Sequence, residues 1–137
     1  MRLSLGLALS LGLPPSLAAR QTAALDHSRQ FLATPTGGRI VLQRDLDDSA
    51  RVAEIRDHLR QLARLFAAGD FRLPPGTGSV SAPGTRVMGR KGEQISYLAQ
   101  PLPRGGAVVI QGRDAPAIAA IHAFLEFHRQ KQASRGS

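Results

Sequence analysis

Apolar residues along this chain switch from strand-like runs to a helical stripe, and then do so a second time. Phe31-Leu32-Ala33-Thr34 and Arg39-Ile40-Val41-Leu42-Gln43 are short extended runs separated by Pro35-Thr36-Gly37-Gly38. Two such runs hinged on a Gly-Gly pair predict a hairpin, with the glycines supplying positive φ in the turn. Asp47-Asp48-Ser49 then offers oxygen acceptors and negative charge for a helix start. Val52, Ile55, Leu59, Leu62 and Phe66 recur at three- and four-residue steps, one face of an amphipathic helix that Gly69 stops.

The second half repeats the order. Gln94 to Leu98 opens a hairpin that turns at Pro103-Arg104-Gly105-Gly106 and returns through Ala107 to Gln111. Asp114 caps the next helix, Pro116 fits its first turn, and Ile118, Ile121, Phe124 and Leu125 form its apolar face. The halves align: Phe31 with Tyr97, Gly37-Gly38 with Gly105-Gly106, and Ile40 to Gln43 with Val108 to Gln111. In the helices Asp48 matches Asp114, Val52 matches Ile118, Ile55 matches Ile121, and Leu59 matches Leu125. One hairpin and one helix cannot bury both apolar faces in water, whereas two copies can. The expected fold is therefore α+β: two β-hairpin–helix repeats forming a four-stranded antiparallel sheet with two helices on one face.

Between the halves, Leu73 to Gly84 is rich in proline, glycine and serine and reads as a loop. Thr85 to Met88 adds a short extended piece. The organisation is one domain over 30–132, with repeat one at 30–69, a loop at 70–90 and repeat two at 91–132. A flexible leader at 20–29 precedes it and a disordered tail at 133–137 follows.

The first residues change the picture of where the protein works. Met1-Arg2 precedes a leucine-rich run to Leu13, then Pro14-Pro15 and small residues ending at Ala18-Ala19. That is a signal peptide over 1–19, too short for a membrane span of roughly 20 apolar residues, so no stable span remains after cleavage. The expected location is periplasmic or secreted. With no cysteine in the chain, disulfides and thiolate metal sites are excluded and packing alone holds the domain. With acidic residues interspersed, the formal net charge of +8 reads first as a solvated basic surface, and an anionic envelope component is the partner it would suit. Nucleic acid is disfavoured as a partner, because six Phe and Tyr, mostly needed by the core, leave few rings for stacking.

Candidate chemistry is sparse. His122 sits at the edge of the second helix's apolar stripe and shares a face with Glu126 four residues on. That spacing suits a metal or an acid–base pair. His128 lies about 120° from His122 on the helical wheel, so the three cannot converge from one helix. Arg56 holds the place in the first helix that His122 holds in the second, while His58 lies on another edge and His27 in the leader. There is no Gly-x-Ser-x-Gly, no phosphate-binding glycine loop and no His-Glu-x-x-His.

Taken together, "FLATPTGGRIVLQ", "IRDHLRQLARLFAAGDF", "ISYLAQPLPRGGAVVI" and "AIAAIHAFLEFHRQ" make the chain resemble an uncharacterised family of small exported bacterial proteins. Members are sometimes labelled aspartate carbamoyltransferase. This chain is too short for that activity and lacks the Ser-Thr-Arg-Thr carbamoyl-phosphate motif. The resemblance covers roughly residues 30 to 130. It implies histidines before the first strand, in the long loop and in the last helix, and hence a divalent-metal or similar polar site between them. Here Ile121 to Phe127 and Gly69-Asp70-Phe71 match, Arg29-Gln30 replace the paired histidines, and the loop has none.

The leading expectation is a non-catalytic ligand- or partner-binding module of the envelope, its partner an anionic component or another protein. Its binding residues would be His122, Glu126, Arg56, Asp70 and Phe71, with no cofactor. The alternatives are a divalent metal held by His122, and a small enzyme using His122 as acid or base.

Overall fold

A computed structural model describes residues 27–73 and 81–136. The expected signal peptide, most of the leader and the centre of the long loop lie outside the described residues. The elements are β1 (His27–Thr34), β2 (Gly37–Arg44), α1 (Ser49–Ala67), α2 (Thr85–Arg90), a 3₁₀ turn (Gly92–Gln94), β3 (Ile95–Leu102), β4 (Gly105–Gly112) and α3 (Ala115–Gly136). The sheet is antiparallel throughout, in the order β1-β2-β4-β3. The predicted α+β class with a four-stranded antiparallel sheet is what the chain adopts.

Strand alternation divides the sheet. Phe31, Ile40, Leu42, Ile95, Val108 and Ile110 point toward the helices and join one core with Ile55, Leu59, Leu62, Phe66, Ile121, Phe124 and Leu125. The core is stitched by aromatic rings: Phe66 meets Phe71 at 5.5 Å, Tyr97 at 5.8 Å and Phe124 at 5.7 Å. The opposite face carries Leu32 and Leu98, both exposed.

Local signals set the helix ends as read. Asp48 accepts from the Arg51 amide at 3.3 Å, and Asp114 accepts from Ala117 at 2.9 Å. Gly69, at φ 91°, follows the end of α1, where its amide donates to the Phe66 carbonyl. That left-handed residue turns the chain off the helix axis.

Three details of the elements differ from the sequence reading. β1 opens at His27, within the expected leader, and α3 runs to Gly136, through the expected disordered tail. Gln132 helps to hold that end, its amide donating to the Arg29 carbonyl at 2.8 Å. Thr85 to Arg90 is a helical turn and a half rather than an extended piece. Its start at Gly84 fits so closely against α3 that a Cβ there would lie 2.2 Å from the Ala120 carbonyl oxygen, while Met88 is fully buried.

The glycine pairs have a different task from the one expected. The two-residue turns are Pro35-Thr36 and Pro103-Arg104, and Arg104 supplies the positive φ of the second, 58°. Gly37-Gly38 and Gly105-Gly106 instead open the central strands, where neighbours approach too closely for a side chain. A Cβ on Gly37 would stand 2.0 Å from the Ile110 carbonyl oxygen, and one on Gly105 would stand 1.9 Å from that of Leu42. Gly38 leaves room for Leu125 and Gly106 for Leu59.

Candidate functional site

The five candidate residues do not assemble into one site. Arg56 leaves α1 to donate from Nε to the Gly105 carbonyl at 2.8 Å and from Nη2 to the Leu102 carbonyl at 2.7 Å. A guanidinium fork matches two adjacent carbonyls well, so Arg56 staples the β3–β4 turn. His122 leaves α3 toward the other turn, with Nε2 2.7 Å from the Thr34 carbonyl oxygen. A carbonyl only accepts, so Nε2 carries the hydrogen, and Nδ1 is the one nitrogen left for a metal or a proton. The two turns sit beside Gln43 and Gly37 at opposite ends of β2, about 20 Å apart at strand spacing.

The acidic candidates are engaged at the surface. Glu126 accepts from Arg129 Nε at 2.8 Å, Arg129 Nη2 at 2.5 Å and Gln130 at 2.9 Å. The Arg129 hydrogen bond, then that from Gln130, holds its carboxyl below the usual range despite some loss of solvent. Asp70 is held at about 2 by its hydrogen bonds from the Arg72 side chain and backbone. Phe71 is buried in the aromatic cluster, against Phe66, Tyr97 and Phe124. Among the described residues no group of three or more His, Asp or Glu side chains could together hold a metal ion.

Replacing Arg56 by Ala strips the Leu102 and Gly105 carbonyls of charged donors in a half-buried setting. Equilibrium urea unfolding of Arg56→Ala is expected to show a loss of about 2–4 kcal/mol, with Arg56→Lys recovering part of it. A loss under about 0.5 kcal/mol would mean that this clamp does not support the fold.

The residue that sequence reasoning passed over is His128. Its ring stacks on Phe31 at 5.6 Å and meets Phe124 edge-on at 4.7 Å and Phe127 at 5.2 Å. It is 9% exposed, and its Nε2 has no hydrogen-bond partner among the described residues. The signal was present: Ala117, Ile121, Phe124 and His128 form a single three- and four-residue series, so His128 continues the buried stripe. The hydroxyl of Tyr97 is also buried, with no hydrogen-bond partner among the described residues, and burial pushes its phenol up.

Burial first, and then the charges of Lys131, Arg29 and Arg135, lower His128 to about 4. An unfolded histidine protonates near 6.5, so between those values the unfolded chain binds the extra proton. Stability should therefore fall as the pH drops from about 6.5 toward 4. Urea midpoints measured across that window should show the decline, and His128→Phe should flatten it. An equally steep decline in that variant would assign it to other groups.

Comparison with protein-family models, with curated proteins and with solved structures finds no match to this chain. Among the described residues no helix is long and apolar enough to cross a membrane.

Proposed function

We propose that this chain is an exported, non-catalytic binding module of the bacterial envelope, built from two copies of one hairpin–helix unit, and that its ligand is anionic. Duplication is supported by contacts that interchange when the halves are exchanged. Ile40 pairs with Val108, its own counterpart, across β2 and β4. Gly37 lies against the Ile110 carbonyl as Gly105 lies against that of Leu42, and Gly38 accommodates Leu125 as Gly106 accommodates Leu59. Arg56 and His122, in matching positions, each bond to the turn of the other unit's hairpin. Such reciprocity is expected of two like units packed about a twofold axis.

With those two side chains occupied in holding turns, the reading favours a scaffold whose function lies in surface charge. The observation that carries the anionic ligand is the surplus of unpaired guanidinium groups. The five ion pairs between described residues engage Glu54, Asp57, Asp70, Asp114 and Glu126. The exposed Arg64, Arg86, Arg90 and Arg113 make no ion pair among the described residues. Exposed cations of this kind raise the local concentration of polyanions in a salt-dependent way.

Expressed from its full sequence, the protein should be recovered outside the cytoplasm with its N-terminus after Ala18 or Ala19. It should be retained on immobilised heparin at low salt and released as salt rises. Passage through the column at low salt, or retention indifferent to salt, would overturn the anionic reading. An intact N-terminus in the cytoplasmic fraction would overturn export.

A further inference from the structure

Part of the uncompensated charge lies where the end of α3 packs on β1. The last turns of α3 cross β1: His128 stacks on Phe31, and Gln132 donates to the Arg29 carbonyl. Arg29 is two residues from Phe31 and so projects from the same sheet face, toward α3. Lys131 and Arg135 stand three and seven residues beyond His128, and Lys131 Nζ lies 5.6 Å from the centre of the Phe127 ring. From α1, His58 feels the charge of Arg29, as His128 does. Burial, then the charge of Arg135, disfavours the protonated form of Arg29 itself.

Four side chains that can carry positive charge, His58, His128, Lys131 and Arg135, thus share the surroundings of one half-buried guanidinium, that of Arg29. Among the described residues no carboxylate forms an ion pair with Arg29, Lys131 or Arg135. Glu126, the nearest acid along α3, is occupied by Arg129 and Gln130. Like charges partly withdrawn from water repel at reduced dielectric, so the arrangement costs stability unless an anion joins it. The buried Nε2 of His128, in a residue 9% exposed and with no hydrogen-bond partner among the described residues, is a second sign of an incomplete site. The donors come from a strand and two helices rather than from one plane. That suits the tetrahedral oxygens of a phosphoryl group better than a flat carboxylate.

We infer that β1, α1 and the end of α3 form a phosphoryl-binding site, with Arg29 as its bidentate anchor, Lys131 and Arg135 as flanking charges, and His58 and His128 as N–H donors. The inference rests on the anionic-ligand reading and names the place and the chemistry. The group belongs either to free phosphate or to a phosphate-bearing polymer.

The test titrates the mature protein with inorganic phosphate and, separately, with polyphosphate, ionic strength being held constant with chloride. Citrate serves as the carboxylate control. Histidine side-chain NMR signals and the melting temperature are followed. Phosphate should raise the melting temperature and shift the signals of His58 and His128 while sparing His122. Arg29→Gln should weaken phosphate binding at least tenfold without lowering the melting temperature in its absence. Arg135→Gln, at an exposed position near the chain end, provides a second variant should the first fold poorly.

Stronger binding of polyphosphate than of phosphate, lost in the same variants, would identify the polymer as the source. Equal response to citrate, or phosphate binding unchanged in both variants, would overturn the inference. If heparin retention persists while phosphate leaves His58 and His128 unmoved, the site is wrong and the anionic reading stands. If neither heparin nor phosphate binds, both fall.

Discussion

Gly105→Ala is expected to destabilise the fold by about 3 kcal/mol or more, at the upper end of overpacking effects. The added methyl would meet the Leu42 carbonyl oxygen at 1.9 Å and the Gln43 Cα at 2.8 Å. Both are backbone atoms of β2, at the point where Gln43 pairs with Gly105. No rotamer change can relieve the contact, so the two central strands, β2 and β4, would have to separate at this end of their ladder. Gly89→Ala is the matched control: nothing lies within 4 Å of its Cβ position, and Gly89 lies in α2. There the substitution should be neutral or should stabilise by about 0.5–1 kcal/mol, through helix propensity. Urea unfolding followed by circular dichroism separates the two. If Gly105→Ala costs less than about 1 kcal/mol, the close central pairing described here is incorrect.

Phe124→Ala should be comparably severe for a different reason. Its ring is fully buried and meets Phe66 at 5.7 Å and 88°, Phe71 at 6.1 Å and His128 at 4.7 Å. Removing it takes away a contact shared by α1, α3 and the chain after α1, and leaves a cavity that the three neighbouring rings cannot close. A loss of about 3–5 kcal/mol is expected, against a total stability of about 5–15 kcal/mol for a domain of this size. Phe124→Leu should retain more than half of the wild-type stability. Thermal melts and urea curves on the two variants give the comparison, and a loss below about 1.5 kcal/mol for the alanine would show that the helices repack around the gap.

The candidate site was less legible than the fold. His122 looked reactive because it stands on a stripe edge beside Glu126. Its Nε2 instead donates to a carbonyl 88 positions away in sequence. Arg56, its counterpart and another candidate binding residue, likewise bonds to carbonyls 46 and 49 positions away. A helical wheel assigns a side chain to a face, but not the backbone that crosses that face. On the helical wheel His128 does not converge with His122, a correct angle drawn from the wrong reference. Measured from Phe124, the same wheel places it in the buried stripe.

What the sequence by itself determined is local. Periodicity located the four strands and the two long helices, and Asp48, Asp114 and Gly69 marked helix ends, because caps and stripes depend on residues within a few positions. Tertiary structure alone decided the order β1-β2-β4-β3, and with it the purpose of the two glycine pairs. Read along the chain, they were turn residues. In the sheet Gly37, Gly38 and Gly105 are points at which a neighbouring strand or an overlying leucine comes too close for any Cβ, and at Gly106 a Cβ would find only tight contacts at 3.0 Å. It also laid the end of α3 on β1, bringing His128 onto Phe31 and Gln132 onto the Arg29 carbonyl, contacts between residues about a hundred positions apart.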